Sequence, residues 1–322
     1  MTIRNVCFGM TAAVALIAIA IPALAQEYPN KPIKIISPYA PGPTDMAAHI
    51  FRERLAAKWG QTIIIEHRPG ASGNIGLEAV YKAPADGYTL LFFPTPALTA
   101  KKHLYKSLPF DTEAFTPISL ISETPFVLVA HPKLRVQTVQ QLIAAAKADP
   151  GGVSYASIGE GGAAHLAAEL FQTMTGTKLN KIPFAGSAPG TVALLGGHVD
   201  TSFTLLSTAL PNIRAGQLRA IAVASEKRSP LLPDVPALAE TLPGFFATSP
   251  SGFAGPPKLP AAIANKWSAA IAEIMREPQI VKQFLEVSAV AIGSTPAELA
   301  AFMKRESDLA GQTIRKIGLT LD

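Results

Sequence analysis

IKIISPYAPGPTDMAAH, residues 33–49, carries the transition on which the fold class turns. Ile33-Lys34-Ile35-Ile36 is a short apolar run of strand character. The segment Pro41-Gly42-Pro43-Thr44-Asp45 is a turn, and beyond it the apolar spacing becomes helical. Strand, turn and helix start follow each other without a spacer. A helix start of this kind has unpaired N–H groups and a partial positive charge, so it attracts anions. Taken singly, the corner is also an ordinary connection of an α/β fold.

The same corner recurs along the chain. Gly70-Ala-Ser-Gly-Asn-Ile-Gly76, Gly159-Glu-Gly-Gly-Ala-Ala164 and Gly186-Ser-Ala-Pro-Gly190 each follow a strand candidate and open a helical pattern. Strands are expected at Ile33–Ile36, Thr62–Glu66, Thr89–Phe93, Phe126–Ala130, Val153–Ala156, Asn180–Phe184, Asp200–Leu205 and Leu218–Ala224. Several are continuously apolar, as strands covered on both faces are. Thr138-Val-Gln-Gln141 and Thr295-Pro-Ala-Glu298 read as capping boxes, the second with proline at the first helical position. Ile263, Trp267, Ile271 and Ile274 recur at helical spacing. The alternation predicts an α/β protein with largely parallel sheets. The proline-rich stretch 227–260 reads as a long surface connection, after which the chain returns to its first domain.

Composition narrows the class. The 322 residues are 48% hydrophobic and 16% charged, which suits a folded chain of two domains. Residues 1–25 combine Arg4, an apolar run from Val6 to Ile21, and Ala23-Leu24-Ala25 before Gln26, the pattern of a cleaved secretory signal. Cys7, the only cysteine, lies inside it, so the exported chain has no disulfide. The net charge of +5 is scattered and does not mark a nucleic-acid partner. Gly159–Ala164 matches a dinucleotide-binding glycine pattern, but the strand after it ends Ile182-Pro183-Phe184-Ala185 without the ribose-binding carboxylate. No nucleophile elbow or zinc helix motif occurs. His165 and Glu169 are four apart, a spacing far more often a local hydrogen bond than a metal site. These absences argue against an enzyme, and no cofactor is expected.

Read together, Pro38-Tyr-Ala-Pro-Gly42, Trp59-Gly-Gln-Thr62, Glu66-His-Arg-Pro-Gly-Ala71, Ala85-Asp-Gly-Tyr-Thr-Leu90, Leu194-Leu-Gly-Gly-His-Val-Asp200, Leu232-Pro-Asp-Val-Pro236 and Gly293-Ser-Thr-Pro296 give the chain its resemblance to a known family. It resembles the Bug or TctC-type receptors, the extracytoplasmic solute-binding proteins of tripartite tricarboxylate transporters. The resemblance implies a two-lobed periplasmic-binding-protein fold of the type II, Venus-flytrap kind, with a mixed, mainly parallel sheet in each lobe. It implies lobe one at residues 26–125 plus 251–322, and lobe two, with the hinge segments, at 126–250. The function implied is capture in the periplasm of a small carboxylate, aliphatic dicarboxylate or aromatic carboxylate such as terephthalate, by a monomer. Delivery to the membrane components of such a transporter follows; a ligand sensor that presents its bound state to a signalling partner would have the same pocket.

By position, the resemblance assigns ligand binding to Tyr39, Ala40, Pro43, Thr44, Asp45, Thr95, Pro96 and Ala97 in lobe one. In lobe two it assigns Ser157, Gly159, Gly161, Gly162, Phe184, Ala185, Gly186, Ser187, Asp200, Phe203 and Thr204. Three positions depart from the family. The first turn is one residue short, with Pro43 where a second glycine is usual; Gly162 replaces a threonine; Thr204 replaces an acidic residue. Proline removes a backbone donor. The changes predict a roomier, less polar pocket. Asp45 is expected to cap its helix rather than to face the ligand.

Overall fold

The computed structural model describes residues 28–39, 45–158, 162–184 and 187–321. The signal segment, Ala40, Pro43, Thr44, Gly159, Gly161, Ala185 and Gly186 lie outside them, as does the side chain of Asp45. Among the described residues ten strands form one sheet: β1 (Ile33–Ser37), β2 (Ile63–His67), β3 (Thr89–Pro94), β4 (Thr116–Ala130), β5 (Ser154–Ile158), β6 (Asn180–Phe184), β7 (Thr201–Leu205), β8 (Arg219–Val223), β9 (Thr248–Gly255) and β10 (Val290–Ala291). Eleven α-helices among the described residues surround it: α1 (Asp45–Trp59), α2 (Asn74–Tyr81), α3 (Pro96–Thr99), α4 (Lys101–Leu104), α5 (Val139–Ala148), α6 (Ala163–Thr175), α7 (Ser187–Leu195), α8 (Leu206–Arg214), α9 (Ala261–Ile274), α10 (Pro278–Glu286) and α11 (Pro296–Ile317).

The strand order is β2-β1-β3-β9-β4-β7-β5-β6, with β8 and β10 also paired to β4. The outer strands are parallel: β1 with β2 and β3, and β5 with β6 and β7. The crossing strands are antiparallel: β9 with β3 and β4, and β4 with β7 and β8. The fold is therefore α/β with a mixed sheet, of the two-lobed periplasmic-binding-protein kind. Strand β4 joins the halves. Its Ile118 and Ile121 belong to one apolar core with Phe51, Phe253 and Trp267; its Phe126 and Leu128 belong to another with Phe171, Phe203 and Phe245.

Two expectations are corrected. The strand expected at Phe126–Ala130 begins ten residues earlier, at Thr116. Pro117 and Pro125 hide it in the sequence, since proline cannot donate to a ladder and usually sits at bulges or edges. The pairing with β9 indeed shifts register between Pro117 and Ser119. The stretch 227–260 is not a surface connection alone, because it contains β9 between β3 and β4, with Phe253 and Ala254 fully buried. Gly252 lets the two strands approach: a Cβ there would stand 2.8 Å from the Ser119 carbonyl oxygen.

Both caps form. Thr138 Oγ1 accepts from Gln141 N, while the Gln141 side chain accepts from Gln137 N rather than Thr138. Thr295 Oγ1 accepts from Glu298 N at 3.2 Å and the Glu298 carboxylate accepts from Thr295 N at 2.8 Å, a reciprocal box. That box starts α11, which packs on β4, on α3 and α4 of one half, and on α6 of the other.

Candidate functional site

The parallel strands of both halves end toward a common gap. β1 ends into Tyr39, β3 into Thr95 and α3, and α6 opens from Gly162. Between them lies a cavity of 440 Å³, a size typical of small-molecule sites. Of the sequence-assigned residues, Tyr39, Pro96, Ala97 and Gly162 line it together. Thr95 is fully buried beside it, its hydroxyl turned to Glu306.

Local structure explains how the Tyr39 side of this wall is presented. Gly76 on α2 lies against Pro38; a Cβ would stand 2.6 Å from the Pro38 Cα and 2.9 Å from the Arg68 carbonyl oxygen. The His67 ring bonds the Tyr39 carbonyl at 3.0 Å. Ala71 and Ser72 both take left-handed φ angles, 46° and 55°, which non-glycine residues rarely adopt. Lys101 holds this turn by donating from Nζ to the Ser72 carbonyl at 2.8 Å. Strain of this kind persists where neighbours over-determine it.

Other assigned residues sit elsewhere. Asp200 is at the opposite, N-terminal end of β5 and β7, where its carboxylate accepts from Ser154 N at 2.9 Å and Ser154 Oγ at 2.6 Å. It ties two strands together and touches no residue of the cavity wall among these contacts. Phe203 is 2% exposed and stacks on Phe245 with centroids 6.0 Å apart, inside the second core. Thr204, on the other face of β7, is buried as well. Ser157 is buried on β5, Phe184 packs at the edge of a third apolar cluster, and Ser187 is exposed at the start of α7. None of these six residues lines the cavity among the described residues. Replacing Asp200 with Ala is expected to lower stability by about 1–3 kcal/mol, the cost of orphaned buried donors. Ligand affinity should stay within about twofold on titration calorimetry, since the carboxylate acts on strand pairing.

His165 and Glu169 come within 3.6 Å, and Tyr155 donates to the same carboxylate at 2.7 Å. Burial pushes Glu169 up, but the bonds from His165 and Tyr155 outweigh it and hold the group below the usual range. No cluster of three or more metal-ligating side chains exists among the described residues.

Sequence reasoning missed the far wall of the cavity. Lys101, Ser72, Tyr105, Phe246, Leu309 and Glu306 all line it. Glu306 Oε2 accepts from Thr95 Oγ1 at 2.6 Å and from Thr99 Oγ1 at 2.8 Å. Burial lifts its carboxyl to about 7, against the lowering effect of the two hydroxyls. Burial likewise lowers the Lys101 ammonium to about 8. One signal for Glu306 was available. It stands on the helical stripe of Leu299, Phe302, Leu309 and Thr313, a charge where the pattern demands an apolar residue.

The profile of the tripartite tricarboxylate transporter family receptor matches residues 47–319. This chain belongs to that family. Its members are solute-binding receptors, not enzymes. Protein BugT of Bordetella pertussis strain Tohama I is 36% identical over 312 residues, 96% of each chain. Among solved structures, a TctC solute-binding protein from Polaromonas is 30% identical, covering 90% of this chain and 99% of that one, with a TM-score of 0.81. Rpa4515 of R. palustris, solved with adipate, is 30% identical, covering 91% of this chain and 99% of that one, with a TM-score of 0.74. No helix among the described residues is long and apolar enough to cross a membrane.

Proposed function

We propose that this receptor works in the periplasm, exported by its N-terminal segment, as a monomer that captures a small carboxylate between two lobes. The lobes are residues 26–125 with 251–322, and 126–250. The closed form delivers its ligand to the membrane components of a tripartite tricarboxylate-type transporter. The observation that carries this reading is the cavity lined from both halves, by Tyr39, Pro96 and Ala97 on one side and Gly162 and Leu166 on the other. A ligand that touches both walls binds the closed form better, and so shifts the population toward it. The adipate in Rpa4515 supports the carboxylate class. Titration calorimetry against aliphatic diacids and aromatic carboxylates, with small-angle scattering on the same samples, tests the reading. At least one carboxylate should bind and shrink the radius of gyration. Failure of every carboxylate to bind would refute the ligand class; binding without compaction would refute the closure.

A further inference from the structure

We propose that Lys101 and Glu306 are the two poles of the ligand site, which takes a carboxylate with an apolar body and a hydrogen-bond donor at its far end. Lys101 receives the carboxylate and Glu306 the donor, a hydroxyl or an amino group. This rests on the carboxylate-receptor reading above and narrows it.

Both side chains line the same cavity, yet no ion pair joins them. Each has spare bonding capacity. Lys101 is 5% exposed as a residue; its ammonium carries three donors and uses one, on the Ser72 carbonyl, and its Nζ stands 5.0 Å from the centre of the Tyr105 ring. Glu306 takes both threonine hydroxyls on Oε2, and Oε1 has no hydrogen-bond partner among the described residues. The rest of the wall is mainly apolar, including Ala97, Leu104, Leu166, Phe246 and Leu309. A ligand filling this space meets a cation, an acceptor and a mainly apolar wall.

A simple diacid matches poorly. Once Glu306 is ionised, above about pH 7, the second carboxylate would face a like charge in surroundings of low dielectric. The nearest cation on α11, Arg305, is engaged elsewhere: it pairs with Glu226 at 2.5 Å and lies over the Phe246 ring at 4.8 Å. A hydroxyl or amino group instead gives Oε1 a charge-assisted hydrogen bond, the stronger class of such bonds. A plain monocarboxylate leaves Glu306 buried and unanswered, which is also unfavourable.

The test is titration calorimetry of the mature protein at pH 8, where Glu306 is ionised, against two matched series. One is hexanoate, its terminal hydroxy and amino derivatives, and adipate. The other is benzoate, its para-hydroxy and para-amino derivatives, and terephthalate. In at least one series the donor-bearing member should bind about tenfold or more tighter than the diacid, the worth of one good charged hydrogen bond. Glu306→Gln, which keeps the shape but removes the charge, should bring that ratio to within about threefold. Lys101→Met should weaken every carboxylate together without reordering them. Should Lys101→Met fail to fold, Lys101→Arg, which keeps a cation in a different shape, replaces it: the order should hold while all affinities shift. A diacid that outranks the donor-bearing members in both series, or a ranking untouched by Glu306→Gln, would overturn the proposal and leave the receptor reading intact. If no member of either series binds the unmutated protein, both fall.

Discussion

Replacing Trp267 with Ala should lower unfolding stability by about 3–5 kcal/mol, the largest single-residue loss in the first core. Trp267 sits on α9 and is fully buried. Its ring meets Trp59 edge-on at 4.7 Å and lies 6.1 Å from Phe253 of the central strand β9. Its Nε1 donates to the Tyr28 hydroxyl at 2.6 Å, and that hydroxyl donates in turn to the Gly87 carbonyl at 2.6 Å. Alanine removes the packing of three elements at once and leaves the Tyr28 oxygen without its donor. Burial already disfavours the ionised form of that phenol. Urea unfolding followed by circular dichroism should show the midpoint falling with the slope unchanged. The melting temperature should drop by on the order of 10 °C. Trp267→Phe keeps most of the volume and should cost roughly half as much. A loss below about 1 kcal/mol for Trp267→Ala would mean that the core repacks around the void.

Stability should fall as pH rises from 5 to 7.5, opposite to the usual acid-side trend. Two half-buried carboxyls set this sign. Burial raises Glu306 and Glu123, each from an ordinary 4.5 to about 7. A group whose folded pKa lies above its unfolded value holds its proton longer in the native state. Its contribution is complete below about 4.5 and is lost as pH climbs through about 7. A shift of this size corresponds to about 3 kcal/mol for Glu306 as a ceiling, and less for Glu123, which keeps more solvent contact. The other groups around Glu306 leave the window clear. Arg305 from the same helix opposes the shift and Glu123 from β4 reinforces it. Lys101 from α4 is held down at about 8, so it adds stability only as pH rises above that. His103, lowered by burial, destabilises below the ordinary imidazole range and partly offsets the trend there. The surface carboxylates held low by partners, Glu240 and Asp308 among them, act below about 4. Urea midpoints measured at half-unit steps should therefore decline across the window. Glu306→Gln should remove about half of the decline or somewhat more, and be the more stable protein at pH 8. An unchanged slope in that variant would assign the proton to another group.

Much of this protein follows from local sequence. Ile33–Ile36 and Thr89–Phe93 are strands because their apolar runs are short and bounded by turns, and those signals need no distant partner. Thr295 and Glu298 cap α11 within four residues of each other. The helix of Ile263, Trp267 and Ile271 announces its buried face by spacing alone. The chain's likeness to the receptor family, and with it the two-lobed fold, is carried by segments each a few residues long.

Other features needed the folded chain. Strand β9 reads as a proline-bearing loop until β3 and β4 flank it, because a strand's pairing comes from residues far away. Phe203 and Thr204 look alike as pocket candidates. The pleat sends Phe203 against Phe245, and Asp200 lies at the strand end remote from the cavity. The site's own poles are the clearest case. Thr95 and Glu306 are 211 residues apart and meet at 2.6 Å only because α11 returns across both halves. A local pattern can mark Glu306 as a charge out of place on an apolar stripe. What it faces, and therefore which proton and which ligand group it can hold, is set by packing over that distance, where sequence periodicity has no reach.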